Sequence, residues 1–202
     1  MSANKKTRVL LIGGEAGAGK SHLARFLARH FGCCTVLDKD PLTWALAEQL
    51  LLALGRPRHD RESPTYLKQV RPCEYAALMS ALASNIPATD RAIVSAPFLV
   101  EFYSPSWLET TQKELAAMGS TLTLAWVLAD ESLIHQRLVR RAAIRDLGKL
   151  GDWAAYRASL PAQPPAVANL HLVHNGPAGP DAADVRSLAA AWLTHGASAS
   201  TS

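Results

Sequence analysis

The segment from Gly14 to Ser21 reads GEAGAGKS, with glycines at 14, 17 and 19 followed directly by a lysine and a serine. Glycines let the backbone turn several N–H groups toward one anion, and a helix that starts after them adds the positive end of its dipole. At this spacing the lysine reaches the terminal phosphates of a nucleotide and the serine hydroxyl coordinates Mg²⁺. The segment therefore predicts a phosphate-binding loop for a nucleoside triphosphate, which we take to be ATP with Mg²⁺.

Lys20 is also a catalytic candidate, because its charge would stabilise the phosphoryl group during transfer. Ser21 is a candidate metal ligand. His22 lies one residue further, where a packing or surface role is the simpler alternative to nucleotide contact. The residues that we assign to nucleotide binding here are Gly14, Glu15, Ala16, Gly17, Ala18, Gly19, Lys20, Ser21 and His22.

Two acids, Asp38 and Asp40, stand two residues apart directly after the second apolar run of the chain. Ligands of open α/β sheets bind at the carboxyl ends of the strands, so both acids should lie beside the nucleotide. One carboxylate can support Mg²⁺ while another orients an acceptor hydroxyl and takes its proton. An alternative is that Asp40, which precedes Pro41, caps the following helix.

Four basic residues, Arg137, Arg141, Arg145 and Lys149, recur every four positions and would share one face of a continuous helix. Like charges at this spacing repel, and Asp146 offsets only part of the repulsion. Triphosphate oxygens are one candidate for the missing counter-charge. A solvated basic face is the alternative.

Five short apolar runs predict β-strands at residues 8–13, 33–37, 92–96, 122–128 and 170–174. Segments with helical spacing predict helices at residues 20–30, 42–54, 66–83, 107–118, 131–147 and 182–194. This alternation implies an α/β fold with a parallel sheet covered by helices on both faces. Two breaker-rich segments, 55–64 and 148–165, interrupt the pattern and are candidates for moving parts.

With these features the sequence resembles, over residues 8–194, the P-loop kinases of small molecules and nucleic-acid ends. That group includes shikimate, gluconate, polynucleotide and chloramphenicol kinases and the zeta-toxin kinases. The resemblance implies a P-loop NTPase three-layer sandwich, a five-stranded parallel sheet in the order 2-3-1-4-5, and a helical lid that carries arginines.

The resemblance also implies roles for particular residues. These kinases carry a DxD or xxD element after the second strand, so Asp38 falls to the Mg²⁺ side and Asp40 becomes the general base, with the reverse assignment open. Arg137 and Arg141 match the R-x-x-x-R pair of the lid, as catalytic residues, and Arg137 also as a nucleotide contact. Asn175 lies in the turn that borders adenine, where it contacts the base or, as we favour, stabilises the turn.

The third strand carries Ser95 where the acid of a Walker B motif is expected. This departure fits the kinases that rely on the acid after the second strand. It weighs against a motor or AAA-type ATPase. Glu101, a few residues further, is interpreted as an ordinary loop acid.

The predicted activity is ATP-dependent phosphorylation of a hydroxyl on a small metabolite or natural product. Basic residues outnumber acids in the segment that the family uses for substrate, which favours an anionic or multiply hydroxylated acceptor; Arg71 within it is interpreted as the ion-pair partner of Glu74. Nucleic acid is a less favoured partner, through a polynucleotide or RNA 5′-end kinase. A third hypothesis is a nucleotide-hydrolysing regulator without an acceptor.

Composition limits the classes further. With 202 residues, 49% of them hydrophobic, we expect one domain over residues 1–195, with a lid at about 137–165 and a disordered tail at 196–202. No apolar run reaches the roughly 20 residues of a membrane helix, so we expect a cytoplasmic protein without a membrane partner. The net charge of +4 is concentrated in the two basic clusters, which points to phosphate handling first.

Overall fold

The computed structural model describes residues 6–32 and 34–194. The first strand, β1 (Thr7–Gly14), is its centre: Val9, Leu10, Leu11 and Ile12 are fully buried, although neighbouring side chains of a strand point to opposite faces. A strand with two apolar faces needs a cover on each side. Val9 and Leu11 pack into one core cluster, and Leu10 and Ile12 pack into another.

The sheet has the order β2-β3-β1-β4-β5-β6. Its first five strands are parallel, which confirms the predicted order 2-3-1-4-5. A sixth strand of two residues runs antiparallel to β5 and was not predicted. The further strands are β2 (Thr35–Asp38), β3 (Arg91–Ser95), β4 (Ser120–Leu128), β5 (Leu170–Gly176) and β6 (Gly179–Pro180).

Helices cover both faces of the sheet. The cluster around Leu10 and Ile12 contains side chains of the first and last helices, and the cluster around Val9 and Leu11 contains side chains of the third and fourth. None of the helices in the described ranges is long and apolar enough to cross a membrane. The helices are α1 (Lys20–Phe31), α2 (Lys39–Ala53), α3 (Arg71–Asn85), α4 (Pro105–Ala117), α5 (Glu131–Arg141), α6 (Leu147–Gly151), α7 (Trp153–Ala158) and α8 (Ala182–Thr194).

The predicted helix over residues 131–147 is wrong in its second half. Helix α5 ends at Arg141, and Ala142 adopts a left-handed conformation with φ 48°. Arg141 turns back to form two hydrogen bonds of 2.8 Å with the carboxylate of the buried Asp146. This pairing offsets the roughly 1–2 kcal/mol that a non-glycine residue loses in the left-handed region. The segment 148–165, expected to be irregular, contains parts of α6 and all of α7.

The predicted helix over residues 66–83 is interrupted by a π-helical turn, Tyr66–Val70, before α3 begins. The cause lies in Pro72, which has no N–H to give to the carbonyl four residues earlier and whose ring crowds that carbonyl. A single wider turn accommodates the proline without ending the helical path. The predicted tail at 196–202 and the predicted start of the second strand at Cys33 lie outside the described residues.

Candidate active site

The phosphate loop connects β1 to α1 and depends on glycine at its ends. Gly14 has φ 137°, and a Cβ there would lie 2.7 Å from the backbone oxygen of Val127. Gly19 has φ 107°, and a Cβ there would lie 1.8 Å from the amide nitrogen of Asn175. Both positions combine a conformation that side chains disfavour with a contact that would exclude them.

Lys20 folds back over this loop, and its ammonium donates a 2.7 Å hydrogen bond to the carbonyl of Glu15. Burial lowers the pKa of Lys20 to about 8, although the nearby carboxylates of Asp40 and Asp38 act in the opposite direction. A phosphate group beside Lys20 would favour the charged form again. Asp38 and Asp40 thus supply only part of the negative charge that would keep Lys20 fully protonated. An additional anion beside the ammonium, such as a phosphate, would supply the rest.

Asp38 lies at the end of β2 and joins the loop to α2. One of its oxygens accepts a hydrogen bond from the hydroxyl of Ser21, and the other accepts one from the backbone N–H of Asp40 at 3.3 Å. Asp38 is thus the N-cap of α2. The alternative in which Asp40 is the cap is wrong, because α2 begins three residues earlier than its apolar pattern indicates.

The pair of Ser21 and Asp38 fits a magnesium ion by its chemistry, since hydroxyl and carboxylate oxygens are the ligands that Mg²⁺ accepts. Within residues 6–32 and 34–194, no group of three His, Cys, Asp or Glu side chains could hold a metal. Mg²⁺ is usually held by one or two protein oxygens together with phosphates and water. The two residues therefore fit an ion that arrives with a nucleotide.

Asp40 lies in the first turn of α2 with about a third of its side chain exposed. The ammonium of Lys39 lies 3.2 Å from its carboxylate, and the guanidinium of Arg145 lies 3.5 Å away. Partial burial acts to raise the pKa of Asp40, but Lys39, Arg145 and Lys20 together lower it to about 2. Asp40 is an ionised carboxylate at every physiological pH.

Arg137 ties the phosphate loop to the end of β5. Its guanidinium donates to the carbonyls of Gly17 and Ala18 at 3.4 and 3.1 Å, and to those of Asn175 and Gly176 at 3.2 and 2.8 Å. The Asn175 amide adds a 2.6 Å bond to the Ala18 carbonyl. Arg137 and Asn175 thus hold the phosphate loop against the end of β5, the two segments that sequence analysis assigned to the nucleotide.

The other three members of the basic series lie on different elements, because α5 ends at Arg141. Arg141 pairs with Asp146, Arg145 with Asp40, and Lys149 with Glu62 at 2.8 Å. The expected stripe on one continuous helix is therefore wrong. The three side chains nevertheless converge on one cleft. Each already has a carboxylate partner in the protein.

A buried carboxylate, Glu74, organises one wall of the cleft. Its oxygens accept hydrogen bonds from Lys39 (3.0 Å), Thr43 (2.7 Å), Tyr66 (2.7 Å) and Arg61 (3.3 Å). Burial acts to raise the pKa of Glu74, but Lys39 and the hydrogen bonds hold it below its ordinary value. The predicted Arg71–Glu74 ion pair is wrong, because this network occupies Glu74.

Arg71 instead binds Glu101, at 2.8 Å, and its guanidinium lies 4.3 Å from the ring centre of Tyr75. Glu101 is only 7% exposed, so the interpretation as an ordinary loop acid is also wrong. Arg61 is arranged in the same way, beside Glu74 and 5.1 Å from the ring centre of Tyr66. Two arginines, each with a carboxylate and a tyrosine, thus face the cleft.

On the side of α7, Arg157 contacts the phosphate loop. Its guanidinium forms an ion pair with the carboxylate of Glu15 and lies 3.4 Å from that of Glu131. The indole N–H of Trp153 donates to Glu131 at 2.9 Å. These contacts connect α7 to the loop and to the start of α5.

Many of these groups line one cleft of about 870 Å³. Its walls include Lys20, Ser21, Asp38 and Asp40 from the loop region and Arg61, Arg71, Arg141 and Arg145 from the surrounding elements. The cleft opens at the carboxyl ends of the parallel strands, where open α/β sheets bind ligands.

Residues 9–162, more than half of the chain, match a family model described as an AAA domain, AAA_33. The chain belongs to the AAA_33 family. The P-loop of such a domain implies nucleotide binding, in agreement with the geometry of residues 14–21. A comparison with curated proteins found no match.

Several solved structures share the fold of this AAA_33 domain. A putative kinase from Chloroflexus aurantiacus J-10-fl has 16% identity, with 94% of this chain and 98% of that chain covered and a TM-score of 0.62. A sugar kinase from Janibacter sp. HTCC2649 has 16% identity, with 97% of this chain and 99% of that chain covered and a TM-score of 0.57. A gluconokinase from Sinorhizobium meliloti 1021 has 17% identity, with 96% of this chain and 95% of that chain covered and a TM-score of 0.55. At these identities the likeness is one of fold, a P-loop kinase-like fold.

The matching family is described as an AAA domain, although Ser95 lies at the end of β3 where the acid of a Walker B motif is expected. The lack of this acid does not separate the chain from that family. The expectation that the chain is not an AAA-type ATPase stays a prediction.

The AAA_33 domain brings together most of the residues that sequence analysis selected. Lys20, Ser21, Asp38, Asp40 and Arg141 line the cleft together with Ala16, Gly17, Gly19, His22 and Arg137. Gly14, Glu15, Ala18 and Asn175 lie directly behind or beside them. Sequence analysis missed Lys39, Glu74 and Arg157. A lysine between two acids was the one available signal, for Lys39. The partners of Glu74 lie 8 to 35 residues away, and the phosphate-loop partner of Arg157 lies 142 residues away.

Proposed function

We propose that this chain is an ATP-dependent kinase that transfers the γ-phosphoryl group to a hydroxyl of a small anionic metabolite. The observation that carries the proposal is that one cleft is lined by the phosphate loop, by the ionised Asp40 and by two arginines with buried carboxylate partners. A nucleotide hydrolase would need only the phosphate loop. The folds of a gluconokinase and a sugar kinase support the same class of reaction.

In this proposal Lys20 and Arg141 stabilise the negative charge on the transferring phosphoryl group. Ser21 and Asp38 hold Mg²⁺, which together with ATP supplies the activated phosphoryl group when bound. Arg137 keeps the loop after β5 against the phosphate loop, and so acts on nucleotide position through the backbone.

Asp40 is proposed to position the acceptor hydroxyl. The acceptor oxygen forms its bond to the γ-phosphorus while the bond from phosphorus to the β–γ bridging oxygen breaks, and the hydroxyl proton passes to Asp40. A carboxylate with a pKa of about 2 is a weak base. A loose transition state demands little early deprotonation, so orientation is the larger part of this role.

Arg61 and Arg71 are proposed to hold an anionic group of the acceptor. Each is kept in place by one carboxylate and one tyrosine ring, which leaves further N–H donors of a planar fork for a carboxylate or phosphate. Since side-chain freedom is already lost in the free protein, little ordering cost remains when the ligand binds.

The segment at about 137–165 is proposed to act as a lid within a single domain over residues 1–195. It contacts the phosphate loop through Arg137, which donates to the carbonyls of Gly17 and Ala18, and through Arg157, which pairs with Glu15. Release of the Arg157–Glu15 contact would free α7 and open the nucleotide end of the cleft.

The test is a thermal-shift screen of hydroxy acids and sugar phosphates, each beside its neutral analogue, with a non-hydrolysable ATP analogue present. Compounds that stabilise the protein are then assayed for ADP formation with wild type, Arg71→Gln and Asp40→Asn. We expect anionic acceptors to be phosphorylated, Arg71→Gln to raise KM, and Asp40→Asn to lower kcat. Steady ATP hydrolysis at the same rate with and without every acceptor would contradict the proposal.

A further inference from the structure

The outer face of α1 carries five exposed residues with helical spacing: His22, Arg25, Phe26, Arg29 and His30. The opposite face of the same helix, with Leu23, Ala24 and Leu27, is buried in the core. The five exposed side chains line a shallow groove of about 480 Å³. This α1 groove is separate from the core packing of the helix, so its composition needs another explanation.

The α1 groove carries positive charge from Arg25 and Arg29. Helix α1 contains no acidic residue. Within the described ranges, neither Arg25 nor Arg29 forms an ion pair, whereas the cleft residues Arg61, Arg71 and Arg141 each do. Two arginines four residues apart on one helix repel each other. An anionic partner would remove that repulsion.

An exposed aromatic ring lies among these charges. Phe26 is 42% exposed, and its ring is parallel to that of His30, with 4° between the planes and 6.2 Å between the centres. A membrane surface would require a broad apolar face, but only one of the five residues is apolar. An acidic peptide would gain little from an exposed, parallel pair of rings. A basic groove with exposed rings is what single-stranded nucleic acids bind, through their phosphates and through base stacking.

The α1 groove also opens toward the cleft, because His22 and Arg25 line both. We propose that the outer face of α1 binds single-stranded nucleic acid, with Arg25 and Arg29 at its phosphates and a base stacked on Phe26. This surface is independent of the small-molecule acceptor proposed above. A protein that phosphorylates a metabolite can still have a nucleic-acid-binding surface on α1.

The test uses the full chain and a 12-nucleotide single strand with a 3′ fluorescein label, as RNA and as DNA. Anisotropy is measured over a salt series for wild type, Phe26→Ala, Arg29→Gln and the double variant. Two controls change exposed residues elsewhere: Leu46→Ala on α2, where Leu46 is 73% exposed, and Arg186→Gln on α8. MgATP binding of every variant is measured in parallel to verify an intact fold.

We expect wild type to bind with an affinity that falls as salt rises. Phe26→Ala should bind about tenfold more weakly, the loss of one stacked base. Arg29→Gln should lower the slope of log affinity against log salt by about 0.7, the loss of one phosphate contact to a single strand. The two controls should match wild type.

Three results would overturn the proposal. The first is no binding of either strand at low salt. The second is equal binding by the double variant and wild type, which would move the site away from α1. The third is competition by a 12-residue poly-glutamate peptide or by polyphosphate at the same concentration as the oligonucleotide, since this would show a surface that accepts any polyanion and does not use base stacking.

Discussion

The hydroxyl of Ser21 donates a hydrogen bond to the carboxylate of Asp38, and this joins the first turn of α1 to the end of β2. Two oxygens that are proposed as Mg²⁺ ligands thus lie side by side, although they come from different elements. Each is also held from behind, Ser21 by its helix and Asp38 by the backbone N–H of Asp40. The arrangement leads to a first prediction about magnesium.

Ser21→Ala and Asp38→Asn should each raise the Mg²⁺ concentration needed for half-maximal nucleotide-dependent activity, by about 10- to 100-fold, since each removes an oxygen ligand or its charge. Nucleotide affinity without Mg²⁺ should change less. Mg²⁺ titrations of ADP formation and of nucleotide binding measure the two effects. An unchanged Mg²⁺ titration in both variants would place the metal elsewhere.

The affinity for MgATP should decline at alkaline pH because of Lys20. Its pKa is lowered to about 8 in the free protein, mainly by burial, and a bound phosphate requires the charged form. Below pH 8 the lysine is already charged, so affinity is constant; above it, each pH unit should weaken binding by up to about tenfold. Calorimetry at pH 7 to 9.5 measures this, and Lys20→Arg should flatten the profile. A flat wild-type profile would contradict the role of Lys20 at the phosphates.

Asp40→Asn should keep MgATP affinity while it lowers phosphoryl transfer to an acceptor by about 10²- to 10⁴-fold, the range of a positioned acid–base group. The N-cap of α2 is Asp38, so the cap is kept, and only the loss of the ion pairs with Lys39 and Arg145 should lower the melting temperature. Single-turnover transfer and the melting temperature are the measurements. Because the pKa of Asp40 is about 2, the wild-type rate should show no acid limb from this group above pH 4. A pH-dependent loss that Asp40→Asn abolishes would show the pKa to be much higher.

Glu74→Ala should lower the free energy of unfolding by about 3–5 kcal/mol, since it removes the buried carboxylate partner of Lys39 and leaves that ammonium with only the partly exposed Asp40. Glu74→Gln keeps the volume and should cost less. Because the pKa of Glu74 is held below its ordinary value, its charge contributes stability above about pH 4.3 that is lost as pH falls. Urea unfolding at pH 7 and pH 4 should therefore show a smaller difference between wild type and Glu74→Gln at the lower pH. Glu109→Gln, at a side chain 73% exposed, is the control.

Arg157→Gln should accelerate nucleotide release, because it removes the ion pair between α7 and Glu15 of the phosphate loop. The two side chains are partly exposed, so the change in unfolding free energy should stay below about 1 kcal/mol. Stopped-flow release of a fluorescent ADP analogue measures the rate, with Arg186→Gln as control. Equal release rates in Arg157→Gln and wild type would show that α7 does not control nucleotide exchange.

Much of the fold was predictable because its signals are local. The glycines of residues 14–21, the apolar runs and the intervening helical spacing are set by neighbouring residues, and these features predicted five of the six strands. The sheet order came from the resemblance to known kinases. Strand β6 was missed because two residues after a turn carry no periodicity.

Within the site, sequence reasoning selected residues by their distance from a motif along the chain. That suffices for Lys20, Ser21, Asp38 and Asp40, which follow the carboxyl ends of β1 and β2, on either side of β3 in the sheet. It fails for Arg71, which was paired with Glu74 three residues away and in fact binds Glu101, thirty residues away. It fails also at Ala142, because no residue type there predicts the end of a helix. The helix ends where Arg141 pairs with the buried Asp146.

The sequence by itself determined the phosphate loop and the alternation of strands and helices, since backbone conformation and burial follow from local residue types. Only the tertiary structure decided which charges neutralise one another. An ion pair needs two side chains within about 4 Å, and no rule of spacing fixes such distances between elements far apart in the chain. For that reason the cleft arginines were predicted as a group, but of their carboxylate partners only Asp146 was named. That Arg25 and Arg29 on α1 have no carboxylate partner among the described residues became known only with the fold.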